Sequence, residues 1–300
     1  MSAFSDAPRA VPATPSDSPA LAVPSTPAVP SAPPAPSAPP SPSAPSADWT
    51  DWQAANRANW DERVPVHVGG AFYDVPAFVG GAEVLRDFEL AEVGDVTGKR
   101  LLHLQCHIAL DTLSWARRGA LVTGLDFSEP ALVEAAQLAR RIGVDSARFV
   151  ASDVYGAVAA LGGETFDVVY TGMGALNWLP DLARWARTVA ALVRPGGFVY
   201  LSEFHPVAEL VAEDGRTVVE DYFDRAPAVL DTPGSYADRD ASMSATRTVQ
   251  WRHGIGDVVS ALAAAGLRLE FLHEHAYGHF FLPPGPRLPL VYSLRASRPS

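Results

Sequence analysis

Residues 101–126 read "LLHLQCHIALDTLSWARRGALVTGLD", and this stretch decides the fold class. Its pattern predicts a buried strand in "RLLHLQ", a helix in "LDTLSWARRG" and a second strand in "LVTGLDF". Between the first strand and the helix stand Gln105, Cys106 and His107, where a nucleotide-binding turn usually carries glycines. The turn is therefore either a ligand-binding turn without glycines or ordinary core that contains polar residues.

The alternation of strand and helix continues along the chain. After two further strands, the helix in "LPDLARWARTVAALVRPGG" ends at Pro and Gly, and the fifth strand is "FVYLSEF". Strands joined by helical crossovers indicate a parallel sheet with helices on both faces. We predict an α/β fold with a doubly wound, Rossmann-like, seven-stranded, mostly parallel sheet. The remaining predicted elements are helices "EPALVEAAQLARRIG" and "GIGDVVSALAAAG" and strands "ARFVAS", "TFDVVYTG", "LRLEFLHEH" and "PLVYSLRAS".

Composition divides the chain into three parts. Residues 1–47 consist almost entirely of Pro, Ala and Ser, which predicts a disordered tail, either simply solvated or serving as a PxxP ligand. Residues 48–98 contain the helical patterns "DWTDWQAANRANWDERV" and "AEVLRDFELAEVG" and predict an N-terminal helical cap. Residues 99–300 form the main domain. Within it, 205–252 is a predicted substrate-side insertion, where "RTVVEDYF" and "SATRTVQWR" alternate like antiparallel strands.

Charge and cysteine content exclude several classes of protein. The formal net charge of -11 argues against nucleic-acid binding, which needs clustered Lys and Arg. The single cysteine excludes an intramolecular disulfide and fits a reducing compartment. We see no secretory signal and no apolar run of about 20 residues, the length that spans a membrane. These features predict a cytoplasmic protein that does not bind membranes, and they leave its oligomeric state open.

Ligands of such sheets bind beyond the carboxyl ends of the strands, where the strand order reverses. Asp126 closes the second strand about 20 residues after the first turn, where a carboxylate can accept hydrogen bonds from both ribose hydroxyls; the alternative is a cap of the next helix. Asp153 follows the third strand and is either an acceptor for an adenine amino group or a helix cap. Thr171 and Gly172 end the fourth strand.

The order of these features resembles the class I S-adenosylmethionine-dependent methyltransferases. The matching segments are the acid of "GLDFS", "SDV", "FDVVYTGMGALNWLPD" and "LVRPGGFVYLSEFHP". Residues "LLHLQCHIALDTLSWARRGALVTGLDFS", with "NRANWDERVPVHV" and "LPLVYSLRAS", further resemble a bacterial subfamily of generic small-molecule methyltransferases with an HLQCH-type first motif. The resemblance implies S-adenosylmethionine as cofactor and an in-line methyl transfer to a small-molecule acceptor.

The resemblance also implies roles for individual residues. Ala109 stands where the subfamily has glycine, so a positive φ there would make its methyl group costly. Cys106 is expected to be buried core rather than a nucleophile. Trp60 either stacks on the cofactor from the cap or packs in the core. The full set of predicted cofactor-binding residues is Gln105, Cys106, His107, Asp126, Phe127, Ser128, Asp153, Val154, Thr171, Gly172 and Trp60.

Two residues at the end of the fifth strand are the candidates for catalysis: His205 just past the strand, and Glu203 two residues earlier on it. His205 is a candidate general base because the ordinary pKa of histidine lies near neutrality; the alternative is a turn histidine before Pro206. Glu203 would orient His205 or bind substrate. His273 and His275 share a strand face, but no cysteine or carboxylate cluster accompanies them, so no metal is predicted.

Two other classes of function stay open. Asp126 would serve the ribose of NAD equally well, so a Rossmann-type NAD-dependent oxidoreductase is one alternative. The missing G-x-G-x-x-G argues against it, because a pyrophosphate needs close approach of the backbone. The other alternative is a methyltransferase-like protein that binds its ligand without catalysis.

Overall fold

The computed structural model describes residues 47–212, 214–276 and 288–300 of the chain, with side chains from residue 51 onward. The predicted tail, apart from Ala47, lies outside these residues. No helix in the described ranges is both long and apolar enough to cross a bilayer. The helices are α1 Ala47–Gly69, α2 Val75–Val79, α3 Asp87–Val93, α4 Leu110–Arg117, α5 Glu129–Arg141, α6 Ala157–Ala160, α7 Leu182–Leu192 and α8 Ile255–Ala264, with 3-10 turns at Val154–Gly156, Leu176–Trp178 and Pro206–Leu210.

Seven strands form the predicted sheet, in the order β3-β2-β1-β4-β5-β9-β8. Neighbours from β3 to β5 pair in parallel, whereas β9 runs antiparallel to both β5 and β8. The order reverses between β1 and β4, which places a crevice at their carboxyl ends. The strands are β1 Arg100–Leu104, β2 Leu121–Asp126, β3 Arg148–Ala151, β4 Phe166–Thr171, β5 Val193–Phe204, β6 Ala228–Asp231, β7 Arg247–Gln250, β8 Arg268–His275 and β9 Val291–Ser297.

Both faces of the sheet are buried at its central strands, which explains why β1 and β4 are mostly apolar. Leu102 and Leu104 pack with α7 and α8 on one face. Leu101 packs with Trp115 of α4 on the other face, where α3 also lies. Tyr170 donates a hydrogen bond to Glu89 of α3 at 2.8 Å, which anchors that helix on the sheet.

The cap differs from its prediction in two places. The helix predicted over 82–94 begins at Asp87, because Arg86 is extended and its backbone N–H donates to the Glu89 side chain at 2.9 Å. The segment "FYDVPAFVGG", which lies between the two predicted helices, contains the additional helix α2. Asp74 caps α2 by accepting from the Ala77 N–H at 3.1 Å, and a proline occupies the first turn.

The insertion contains the predicted antiparallel pair, but one of its strands lies elsewhere. β7 falls within "SATRTVQWR", whereas its partner β6 lies between the two predicted strands, outside "RTVVEDYF". "RTVVEDYF" forms no ladder, because Asp214 and Asp221 accept hydrogen bonds from backbone N–H groups two residues further on. Its apolar side chains Val218 and Phe223 are consequently exposed.

Helix α1 docks on β7 through paired amide hydrogen bonds. Asn56 Nδ2 donates to the Val249 carbonyl at 2.9 Å, and the Val249 N–H donates to Asn56 Oδ1 at 2.8 Å. Asn59 Nδ2 reaches the Ala245 carbonyl at 2.5 Å. The cap and the insertion are therefore joined directly, across more than 180 residues of sequence.

We expect Asn56→Ala to lower the free energy of unfolding by about 2–3 kcal/mol, because it leaves two buried backbone groups of Val249 without partners. Urea denaturation followed by circular dichroism measures this. The control Gln137→Ala, on an exposed face of α5, should change stability by less than about 0.5 kcal/mol. An equally small effect of Asn56→Ala would contradict the docking role.

Candidate active site

A cavity opens where the strand order reverses, which is a common position for small-molecule sites in such sheets. The turn after β1, the end of β2 and the loop after β4 form its base, and the cap and the insertion form the opposite wall. Its lining residues are Trp60, Tyr73, His103, Gln105, Cys106, His107, Ile108, Ala109, Leu110, Asp111, Asp126, Phe127, Gly172, Met173, Gly174, Ala175, Trp178 and Tyr236.

The turn between β1 and α4 has left-handed backbone at every second residue. Gln105, His107 and Ala109 have φ values of 58°, 49° and 64°. A side chain makes this conformation cost about 1–2 kcal/mol per residue. The chain thus adopts a glycine-type turn without glycines, and the expected penalty at Ala109 is present.

Asp126 holds this turn in place. Its Oδ2 accepts from the His107 N–H at 2.8 Å and its Oδ1 accepts from the Ser128 N–H at 2.9 Å. Burial raises the pKa of the carboxyl to about 6, although these backbone donors favour the ionised form. Each oxygen keeps lone pairs for a ligand in the cavity.

Gln105 brings an unsatisfied acceptor to the cavity. Its Nε2 donates to the Ala175 carbonyl at 3.0 Å, which ties the turn to the loop after β4. Its Oε1 is buried and has no hydrogen-bond partner among the described residues. A buried acceptor without a partner is costly, so the site fits a ligand that donates a hydrogen bond there.

Asp111 also lines the cavity, although no sequence pattern singled it out. Burial, with Glu89 nearby, raises its pKa from an ordinary value near 3.8 to about 7, and the Arg86 guanidinium lowers it. No ion pair to Asp111 forms within the described ranges. An acid in the first turn of a helix is usually explained by its favourable interaction with the helix dipole, so the sequence does not indicate that Asp111 lines the cavity.

Close packing explains the residue types at positions 106 and 172, Cys106 and Gly172. A Cβ on Gly124 would lie 2.8 Å from Cys106 Sγ, so the thiol fills space that this glycine leaves. Burial raises the pKa of Cys106, which keeps the thiol protonated. A Cβ on Gly172 would lie 3.2 Å from Asp111 Oδ2, so the glycine keeps that part of the cavity open.

Histidines and aromatic rings build the opposite wall. His107 Nε2 lies 2.8 Å from His67 Nδ1, and His67 Nε2 lies 2.7 Å from Ser235 Oγ. Trp60 makes edge contacts with His107 and with Trp178, at centroid distances of 5.1 and 5.4 Å. Burial lowers the pKa of His67 to about 3 and that of His107 well below its ordinary value, so both rings are neutral at physiological pH.

The structure brings seven of the eleven predicted cofactor residues to the cavity and places four outside its lining. Ser128 caps α5 and donates to Asp61 Oδ1 at 2.6 Å. Asp153 caps a 3-10 turn by accepting from the Gly156 N–H at 3.0 Å. Val154 and Thr171 are buried. Within the lining are Gln105, Cys106, His107, Asp126, Phe127, Gly172 and Trp60.

The two predicted catalytic residues lie outside the lining of this cavity, and their catalytic roles stay predictions. Glu203 accepts hydrogen bonds from the N–H groups of Gly174, Ala175, Leu176 and Phe204 at 2.6–2.9 Å. Burial raises its pKa to about 7 although these donors lower it. With both oxygens engaged, Glu203 positions the loop after β4.

His205 is not oriented by Glu203. Its Nε2 pairs with Glu274 Oε1 at 2.9 Å, and its Nδ1 accepts from the Val207 N–H at 3.1 Å. Both ring nitrogens are thus engaged outside the cavity, as the alternative of a turn histidine implies. In the described ranges no group of three or more His, Cys, Asp or Glu side chains could hold a metal ion.

Residues 102–199 match the protein family described as "Methyltransferase domain". This segment, about a third of the chain, is therefore similar to a methyltransferase domain. The ubiquinone biosynthesis O-methyltransferase of Ralstonia nicotianae is 38% identical over 112 residues, which are 37% of this chain and 45% of that protein. The chain thus spans less than half the length of this curated relative.

Solved structures show the same fold around the methyltransferase domain. The CcbJ methyltransferase from Streptomyces caelestis matches with a TM-score of 0.58 and 17% identity, over 82% of this chain and 99% of that one. The glycopeptide N-methyltransferase MtfA complexed with S-adenosylmethionine matches with a TM-score of 0.51 and 19% identity, over 71% and 92%. The class I methyltransferase fold is confirmed.

We expect Asp111→Asn to stabilise the protein more at pH 7 than at pH 5. A carboxyl with a raised pKa binds more protons in the folded than in the unfolded state between about pH 3.8 and 7, so stability falls as the pH rises through this window. At about 1.4 kcal/mol per pH unit, the gain over wild type should grow by about 2 kcal/mol. Urea denaturation at both pH values measures it.

The control is Asp181→Asn, which replaces an acid that caps α7 outside the cavity lining. This variant should follow the wild-type pH dependence. If Asp111→Asn also follows it, the Asp111 carboxyl is not held protonated by its surroundings.

Proposed function

We propose that the protein is an S-adenosylmethionine-dependent methyltransferase that acts on a small molecule. The family match, the O-methyltransferase relative and the solved fold support this proposal. The single cysteine suits a reducing compartment, and this supports a cytoplasmic location. The acceptor is a small molecule because the cavity is enclosed by the cap and the insertion.

The charge of the cavity carries the proposal. Asp111 and Asp126 line it, whereas no described Lys or Arg does. S-adenosylmethionine carries an ammonium and a sulfonium and no phosphate, so its cations would meet these two carboxylates. The pyrophosphate of NAD would bring negative charge to the same carboxylates, which disfavours the oxidoreductase alternative.

The donor and acceptor groups of the site match the parts of this cofactor. Asp126 has free lone pairs for the ribose hydroxyls, and Gln105 Oε1 offers an acceptor that lacks a partner. Asp111 would pair with the ammonium group, which would relieve the cost of burying its carboxylate. Asp153 and Val154, at the end of β3, stay our candidates for the adenine ring.

The bound cofactor supplies an electrophilic methyl group on sulfur. The protein aligns the acceptor and excludes water, for which the aromatic wall is suited. His107 contacts this wall as a neutral ring, because burial lowers its pKa well below the ordinary value, so it can orient the acceptor by a hydrogen bond. His67 and Ser235 continue this hydrogen-bond chain away from the cavity.

Calorimetric titration with S-adenosylmethionine, S-adenosylhomocysteine and NADH tests the proposal. We expect both sulfur compounds to bind and NADH not to bind. Formation of S-adenosylhomocysteine is then followed across a panel of small acceptors. Binding of NADH would favour the oxidoreductase, and cofactor binding without turnover on any acceptor would favour an inert binding protein.

Asp126→Ala should weaken S-adenosylmethionine binding more than tenfold while the protein stays folded. The substitution removes the proposed ribose acceptor and also frees the His107 N–H that fixes the turn. Calorimetry measures the affinity, and circular dichroism checks the fold. Asp181→Asn is again the control and should bind like the wild type; equal affinity of Asp126→Ala would rule out the ribose role.

Cofactor affinity should depend on pH through Asp111. With a pKa of about 7, its carboxyl is mostly protonated at pH 6, so an ammonium group should bind about tenfold more weakly there than at pH 8. Calorimetry in two buffers of different ionisation enthalpy at pH 7 should show release of about half a proton. Asp111→Asn should remove most of this pH dependence, and a variant that keeps it would contradict the pairing.

A further inference from the structure

Arg63 of α1 is a buried guanidinium without an acidic partner. Only 6% of the residue is exposed. Its Nε is buried and has no hydrogen-bond partner, and no carboxylate lies within ion-pair distance of it among the described residues. Burying a charge without a counter-ion is expensive, so arginines in such positions usually meet an anion.

Aromatic rings of the cavity wall surround this guanidinium. Its central carbon lies 4.8 Å from the Trp60 ring centroid, 5.5 Å from that of Tyr236 and 5.7 Å from that of Trp178. All three rings line the cavity. Cation–π contacts of this kind recover part of the cost of burial, but they leave the N–H donors of the guanidinium without acceptors.

Two phenol groups lie beside the same charge. The hydroxyls of Tyr73 and Tyr236 share a hydrogen bond, and both rings line the cavity. The Arg63 charge favours ionisation of each phenol, although burial raises both pKa values. This part of the cavity therefore offers phenol hydroxyls, and the positive charge of Arg63 lies directly behind its lining rings without itself belonging to the lining. The lining carboxylates are Asp111 and Asp126.

We propose that Arg63 binds a carboxylate group of the methyl acceptor, whose apolar body packs among Trp60, Trp178 and Tyr236. This inference rests on the proposed function, since it names the acceptor class of the same cavity. A carboxylate matches the planar guanidinium fork and brings the single negative charge that neutralises it. A dianionic phosphate would leave excess negative charge in a cavity that already contains two carboxylates.

The test compares an acid with its neutral analogue in the full-length protein. Benzoate and benzamide have the same ring and similar shape and differ in charge. Each is titrated into protein saturated with S-adenosylhomocysteine, with tryptophan fluorescence as the signal because Trp60 and Trp178 line the cavity. Wild type should bind benzoate at least tenfold more tightly than benzamide.

Arg63→Gln should reduce benzoate affinity at least tenfold and leave benzamide affinity within about twofold. The variant should also have a higher melting temperature than wild type, because it removes a buried charge without a counter-ion. Arg63→Lys, which keeps the charge but not the planar fork, should retain part of the preference for benzoate. The control Arg57→Gln changes an exposed arginine of the same helix and should bind both probes like wild type.

Each other outcome is decisive. Equal binding of benzoate and benzamide to wild type, or no binding of either at 50 mM, overturns the inference, as does an unchanged benzoate affinity in Arg63→Gln. S-adenosylhomocysteine is titrated separately into wild type and Arg63→Gln. A tenfold loss in the variant would assign Arg63 to the cofactor and also overturn it. If wild type does not bind this cofactor product but shows the benzoate preference without it, the proposed function fails and the carboxylate site stands.

Discussion

The Asp126 carboxylate holds the turn after β1 in a left-handed backbone conformation that is unfavourable for residues with side chains. Three non-glycine residues there are left-handed, at a cost of about 1–2 kcal/mol each. The hydrogen bond from the His107 N–H to Asp126 offsets part of this cost and fixes where the turn faces the cavity. Since the proposed ribose contact uses the same carboxylate, the shape of the turn and the recognition of the cofactor depend on one group.

One face of helix α1 serves both the docking of the insertion and the cavity, because Asn56 and Asn59 lie four residues before Trp60 and Arg63. Asn56 and Asn59 bind the backbone of the insertion. Trp60, Arg63 and His67, spaced three and four residues apart, lie on one face and make ring contacts at the cavity wall. Ser235 then joins His67 from the insertion. The wall of the cavity is thus held by the same contacts that dock the cap.

The sheet could be predicted because buried parallel strands are apolar throughout and alternate with amphipathic helices. The insertion was harder, since "RTVVEDYF" alternates like a strand but Asp side chains turn its backbone. Asp126 followed from its position at the end of β2. Asp111 and Arg63 could not be found this way, because a single acid or arginine on a helix normally faces solvent, and only tertiary contacts show its burial.

The position of β5 explains why Glu203 and His205 lie outside the cavity lining. Glu203 lies near the end of β5 and His205 follows it, but the order reverses between β1 and β4, so β5 lies one strand further along the sheet. Its end borders a second, smaller cavity that Glu203 helps to line. Sequence shows that a strand ends, whereas the pairing of strands decides which ends border the ligand.

The two sides of the cavity also differ in whether they lie in the segment that is similar to known methyltransferases. The turn, Asp111 and Asp126 all lie within residues 102–199, the segment that matches the methyltransferase family. Arg63 and Tyr236 lie outside that segment, on the cap and the insertion. Similarity to known methyltransferases therefore bears on the cofactor side of the site. The acceptor side has to be argued from the contacts of this chain alone, and there the buried guanidinium without a counter-ion is the strongest constraint on the acceptor.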